Sequence, residues 1–107
     1  MSLDVYLSAP RVVQVFDANI THNLNKMADA AGIYDVVWQP AEHGIANAGQ
    51  LVEPLKGGIE RLEADPERFK ALNPPNGWGS YDGLVRWLKE YLAACEANPD
   101  ATVRASR

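Results

Sequence analysis

Two short runs gather the side chains best suited to chemistry. The first, Asn19-Ile20-Thr21-His22-Asn23-Leu24-Asn25, sets three asparagines, a threonine and a histidine at the entry to a predicted helix. Helix starts carry unpaired N–H groups and the positive end of the dipole, so an anion or polar ligand finds donors there. His22 can donate or accept near neutral pH. The plainer reading is that Asn19 and Asn23 satisfy turn and cap hydrogen bonds while His22 is a polar surface residue. The second run is Asn73-Pro74-Pro75-Asn76-Gly77-Trp78-Gly79-Ser80-Tyr81. Its prolines fix the backbone and its glycines permit conformations that other residues avoid. It is suited to presenting Asn73, Asn76, Trp78 and Tyr81 to a ligand. The indole would stack on a planar group such as a nucleobase, a contact of ~1–3 kcal/mol. It is equally suited to anchoring the loop in the core by one large ring.

Most other site chemistry is excluded. The chain has two histidines, and His43 has no second histidine at metal-ligand spacing, so no metal site is expected. Ser80 reads as a helix cap and Cys95 as a small buried hydrophobe, which leaves no nucleophile for a triad and no catalytic residue to name. Gly77-Trp78-Gly79 is too short to cradle a pyrophosphate, and neither a P-loop nor a dinucleotide fingerprint is present. No cofactor is expected. One cysteine removes intramolecular disulfides and thiolate clusters. With 14 acidic against 10 basic residues and a net charge of -4, no lysine–arginine cluster suits nonspecific nucleic-acid binding. A local anion pocket built from two or three cations, Arg104 or Arg107 among them, stays open.

The elements that position these runs follow from periodicity. Leu3, Val5 and Leu7 alternate with polar residues and Val12 to Phe16 continues after Pro10, which predicts an antiparallel hairpin with Pro10 at its turn. Thr21 caps a helix carrying Leu24, Met27, Ala28 and Ala31 on one face, and Gly32 stops it. Ile33 to Trp38 fits either a strand-like connector or a short helical turn, ended by Pro40. Asn47 and Gln50 form a capping box for a helix to about Glu63, with Leu51, Leu55, Ile59 and Leu62 inward and a kink expected near Pro54. Asp65-Pro66 starts a short helix over Glu67 to Leu72. Ser80 caps a final helix with Leu84, Leu88, Tyr91, Leu92 and Cys95 on its core side, Val85 and Trp87 on its flanks, and Asp82, Arg86 and Glu90 outward. Thr102 to Ser106 alternates again. The fold class is therefore α+β: one domain over residues 1–107, with a small antiparallel sheet (N-terminal hairpin plus C-terminal strand) covered on one face by three to four helices. The open face carries Tyr6, Thr102 and Arg104, and exposed edge strands make homo-oligomers by sheet extension physically cheap. The composition, 47% hydrophobic and 22% charged, suits one globular core. No charged-then-apolar leader and no run of 18 apolar residues occurs, which points to the cytoplasm rather than a membrane.

Met1 to Leu7, Asn19 to Leu24 with Met27-Ala28, Asn73 to Tyr81 and the ending Val103 to Arg107 together resemble a family of small uncharacterised proteins of bacterial and bacteriophage genomes. The resemblance covers essentially the whole chain. It implies a setting, that of a phage or mobile-element accessory protein, and transfers no catalytic residue. In such a setting small proteins often counter host defence by sequestering a nucleotide signal or blocking a defence protein. Three functions are therefore expected in competition. One is a non-enzymatic binder of a small polar, nucleotide-derived ligand through Asn19, His22, Asn23, Asn73, Asn76, Trp78, Tyr81 and Arg104. The second is a protein–protein inhibitor or adaptor that engages a host protein by its acidic surface or sheet edge. The third is a small hydrolase using His22.

Overall fold

A three-stranded antiparallel sheet in the order β2-β1-β3, packed against helices on one face, organises the chain as an α+β fold. The computed structural model describes all residues except Met1, Pro10, Arg11, Val12 and Trp78, and only the backbone of Ala9, Val13, Gln14 and Val15. The expected turn at Pro10, the strand start at Val12 and the indole of Trp78 therefore lie outside the described residues. Strand β1 (Ser2–Ala9) is central, paired with β2 (Val13–Thr21) and with β3 (Thr102–Ser106). The register explains the core. Leu3 faces Ile20, Leu7 faces Val103, and all four side chains are buried together with Val5. Because side chains alternate across a strand, Asp4, Tyr6, Asp17, Asn19, Thr102 and Arg104 occupy the opposite, helix-free face.

The segment after β2 divides in two. Thr21 Oγ1 accepts the Asn23 backbone N–H at 3.3 Å and opens a 3-10 turn over His22–Leu24, and helix α1 (Asn25–Ala30) follows. The expected apolar face survives the division, with Leu24, Met27, Ala28 and Ala31 all buried. Gly32 ends α1 at φ 75°, a backbone state costly for other residues. Arg61 reaches back from a later helix to donate to the Ala31 carbonyl at 2.6 Å. The alternative left open for Ile33 to Trp38 is resolved as a short helix, α2 (Tyr34–Trp38), and a 3-10 turn over Pro40–His43 follows it.

Helix α3 (Gly49–Ala64) runs through Pro54 and buries Leu51, Leu55, Ile59 and Leu62. Half of the expected capping box forms at its start. Gln50 Oε1 accepts from the Ala46 and Asn47 N–H groups at 2.6 and 3.0 Å, while no side-chain cap hydrogen bond forms at the helix start. Gly58, inside this helix, has a packing role. A Cβ there would sit 2.5 Å from Ile33 Cδ1, so the glycine lets α3 approach the fully buried Ile33. Helix α4 (Pro66–Lys70) is shorter than expected and buries Phe69. Helix α5 (Tyr81–Ala97) starts at Ser80, whose Oγ accepts the Gly83 N–H at 3.1 Å. It buries Leu84, Leu88, Tyr91 and Cys95 as the periodicity predicts. The flanking Val85 and Trp87 are buried too, and Leu92 is half-buried. No described helix is long and apolar enough to cross a membrane.

Burial, with a lesser contribution from the neighbouring Glu96, pushes the Cys95 thiol up to about 12. A thiol attacks as its thiolate. Native protein at pH 8 is therefore expected to leave Cys95 unmodified by a disulfide-exchange reagent, while urea-unfolded protein reacts at once. Rapid stoichiometric reaction of the folded form would contradict the burial. The sign for stability follows from the same shift. The folded state retains a proton that the unfolded state loses above about 9, so this contribution is present below pH 9 and fades as pH rises toward 12.

Candidate functional site

The two polar runs meet, but not through all the residues that sequence singles out. Asn19 projects from the open sheet face and is spoken for, its amide donating to Asp4 Oδ1 at 2.7 Å and Ser2 Oγ at 2.8 Å. Asn23 is exposed and gives both its backbone and side-chain N–H groups to Thr21 Oγ1. His22 turns the other way. Its ring lies against Trp38 with centroids 6.5 Å apart, and its Nε2 is enclosed without a hydrogen-bond partner among the described residues. Trp38 in turn stacks on Tyr34 at 5.3 Å.

The glycine-rich run builds a helix start. Asn73 Oδ1 accepts the Tyr81 N–H at 2.8 Å and, with the Ser80 cap, occupies two of the first N–H groups of α5. Those donors are the ones an anion would need. Tyr81 is buried and donates its hydroxyl to the Leu62 carbonyl at 2.8 Å, locking α5 to α3. Its own ionisation is pushed up by burial and by Glu63 and Asp82. Asn76 is exposed at the tip of the loop. Gly79, at φ 102°, packs directly on the first run, since a Cβ there would lie 2.9 Å from both Thr21 Cγ2 and Leu24 Cγ. A groove of about 410 Å³ follows from this contact, lined by Asn19, Thr21, Gly79, Ser80, Arg86 and Trp87. His22, Asn23, Asn73, Asn76 and Tyr81 do not line it, and Arg104 lies on another strand.

Arg104 belongs to a second concavity, at the β3 edge. A cleft of about 450 Å³ opens between β3 and the turn after α2, with Tyr6, Trp38, Gln39, Glu42, Arg104 and Arg107 in its walls. Each wall has a local cause. The register sets Tyr6 opposite Arg104, and the guanidinium spreads over the phenol ring at 5.3 Å. This cation–π contact is worth about 0.5–1 kcal/mol at an exposed site, and it orients the arginine while leaving its N–H fork unused. No carboxylate lies within ion-pair distance of Arg104 among the described residues. Arg107 pairs loosely with Glu42 at 3.6 Å, both half-exposed, and such pairs contribute little. Trp38 is 2% exposed and forms the back wall, so the histidine of the first run supports the cleft from behind.

Sequence reasoning had Arg104, Arg107 and Tyr6 in view. It missed Gln39 and Glu42, because nothing in Trp38-Gln39-Pro40 signals that this turn folds onto the last strand. Among the described residues no three or more His, Cys, Asp or Glu side chains group to hold a metal. Polar donors, two cations and an aromatic platform suit recognition of a small anion carrying a planar group. Comparison with family models, with curated proteins and with solved structures gave no match for this chain.

Proposed function

We propose that the protein is a non-enzymatic binder of a small anionic, nucleotide-derived ligand, held in the cleft between β3 and the 39–42 turn. One observation carries this reading. On a chain of net charge -4, two arginines reach the same cleft, and one of them is oriented by an aromatic ring without a carboxylate partner among the described residues. A free, preorganised guanidinium fork matches phosphate or carboxylate. The cleft volume lies in the usual range of about 300–1,000 Å³ for small-molecule sites. The setting that the sequence resemblance implies accords with it, since sequestering a nucleotide signal requires binding and no turnover. A hydrolase reading is supported less well, because His22 Nε2 is enclosed beside Trp38.

Calorimetric titration with a panel of nucleoside phosphates and cyclic dinucleotides tests the proposal. At least one compound is expected to bind, more weakly as salt rises. The double variant Arg104→Ala/Arg107→Ala should weaken it at least tenfold, about 1.4 kcal/mol, without lowering Tm appreciably. A panel without any binder, or binding indifferent to the double variant, would reject the cleft as the site.

A second reading, an adaptor for a host protein, draws on β2. This strand of nine residues forms the other edge of the sheet, and no described strand pairs beyond it. Such an edge accepts an added strand readily.

A further inference from the structure

We propose that the cleft reads a nucleobase through the free backbone edge of β3, with the arginines taking the phosphate. The inference rests on the binding reading above and specifies which part of the ligand is recognised and by what.

In an antiparallel ladder, successive residues direct their N–H and C=O groups alternately toward one neighbour and the other. The Val103 N–H points away from β1, since it donates to the Ala46 carbonyl at 3.0 Å, and the Ala48 N–H donates to the Ala101 carbonyl at 2.9 Å. Asn47 bridges Thr102 between these bonds. The segment 46–48 thus covers the first part of the outer β3 edge and stops there. By alternation, the Val103 C=O, the Ala105 N–H and the Ala105 C=O also point outward, and none of them has a protein partner among the described residues. Both residues line the cleft.

The result is an acceptor–donor–acceptor row along one edge. Nucleobases present an adjacent donor and acceptor in one plane, so a base laid edge-on against β3 can make two hydrogen bonds with this row. Arg104 and Arg107 line the same cleft and supply charge for the phosphate. The shortness of the row decides against an extended peptide. Strand addition draws its affinity from many main-chain bonds, and the uncovered edge offers three groups before β3 ends at Ser106. A planar ring needs two.

The test compares nucleoside monophosphates with ribose 5-phosphate, which has the anion and sugar but no base. Wild-type protein is expected to bind at least one of AMP, GMP, CMP and UMP tenfold or more tightly than ribose 5-phosphate. Ala105→Pro removes the outward N–H without touching the β1 ladder, because that N–H faces the cleft; proline is tolerated at such edge positions. The variant should lose the tenfold margin and retain the affinity for ribose 5-phosphate. A readout that does not depend on the variant's folding is the amide resonance of Ala105 in labelled wild-type protein. It is expected to move downfield with the nucleotide and not with ribose 5-phosphate. Equal affinity for nucleotides and ribose 5-phosphate, a folded Ala105→Pro protein that keeps the margin, or an unmoved Ala105 amide in the nucleotide complex would each overturn base reading while leaving the anion site standing. Absence of binding by every compound would instead remove the cleft reading beneath it.

Discussion

Gly79→Ala is expected to destabilise the protein by about 4 kcal/mol, the sum of a strained backbone and a forced displacement. The residue sits at φ 102°, where an L side chain is disfavoured, at a cost of about 1–3 kcal/mol. Its added methyl would also press within 2.9 Å of Thr21 Cγ2 and Leu24 Cγ, and Leu24 is 2% exposed with nowhere to retreat. Overpacking of this kind costs roughly 1–3 kcal/mol more. For a domain of this size the loss corresponds to a Tm drop of roughly 15 °C or more. Gly77→Ala supplies the control. Gly77 has φ 77° but open space around it, so only backbone strain of about 1–2 kcal/mol is expected. Thermal melts of the two variants decide the matter. Equal drops would mean that the contact between the loop and the Thr21–Leu24 turn contributes nothing to stability.

Trp38→Ala is expected to remove a similar amount, about 4 kcal/mol, from the range for large aromatic truncations. The indole is nearly enclosed, stacks on Tyr34 and supports the His22 ring, so no single neighbour can fill its space. It also backs the β3 cleft, so ligand binding should fail together with stability. Trp38→Phe separates the two effects. The indole Nε1–H has no partner among the described residues, so a phenyl ring forfeits volume and no hydrogen bond. That variant should fold with a loss of about 1–2 kcal/mol and retain much of the affinity. Urea denaturation of both variants is the check, and Trp38→Ala within about 1 kcal/mol of wild type would show the ring to be peripheral.

The sequence exposes this fold wherever a pattern is local. The alternation of Leu3, Val5 and Leu7, the apolar face of α5 and the Ser80 cap each involve residues a few positions apart, and the structure contains all three. The shared open face of Tyr6 and Arg104 likewise follows from the alternation of β1 and β3, whereas their direct pairing is set by the register. What sequence hides is long-range approach. Gly58 carries no mark that distinguishes a weak helix position from a slot for Ile33, twenty-five residues away. Asn73 and Tyr81 look like ligand-facing residues because their types are those of binding loops, yet they bond to Tyr81 N–H and to the Leu62 carbonyl respectively. Polar side chains serve caps and ligands by the same hydrogen bonds, so type alone does not distinguish the uses. The cleft depended on a further unknown, the descent of the turn after Pro40 onto β3, which no periodicity encodes.

The antiparallel seating of β3 beside β1 also governs how the molecule meets mechanical load. Asp4 lies opposite Ser106, so the chain enters the sheet and leaves it at the same end. Tension applied between Ser2 and Ser106 therefore acts across the ladder at one extremity, and the bonds between the two strands open singly, like a zip, instead of sharing the force along their length. Detaching β3 in this way would dismantle the Arg104–Tyr6 platform, and with it one wall of the cleft, at an early stage.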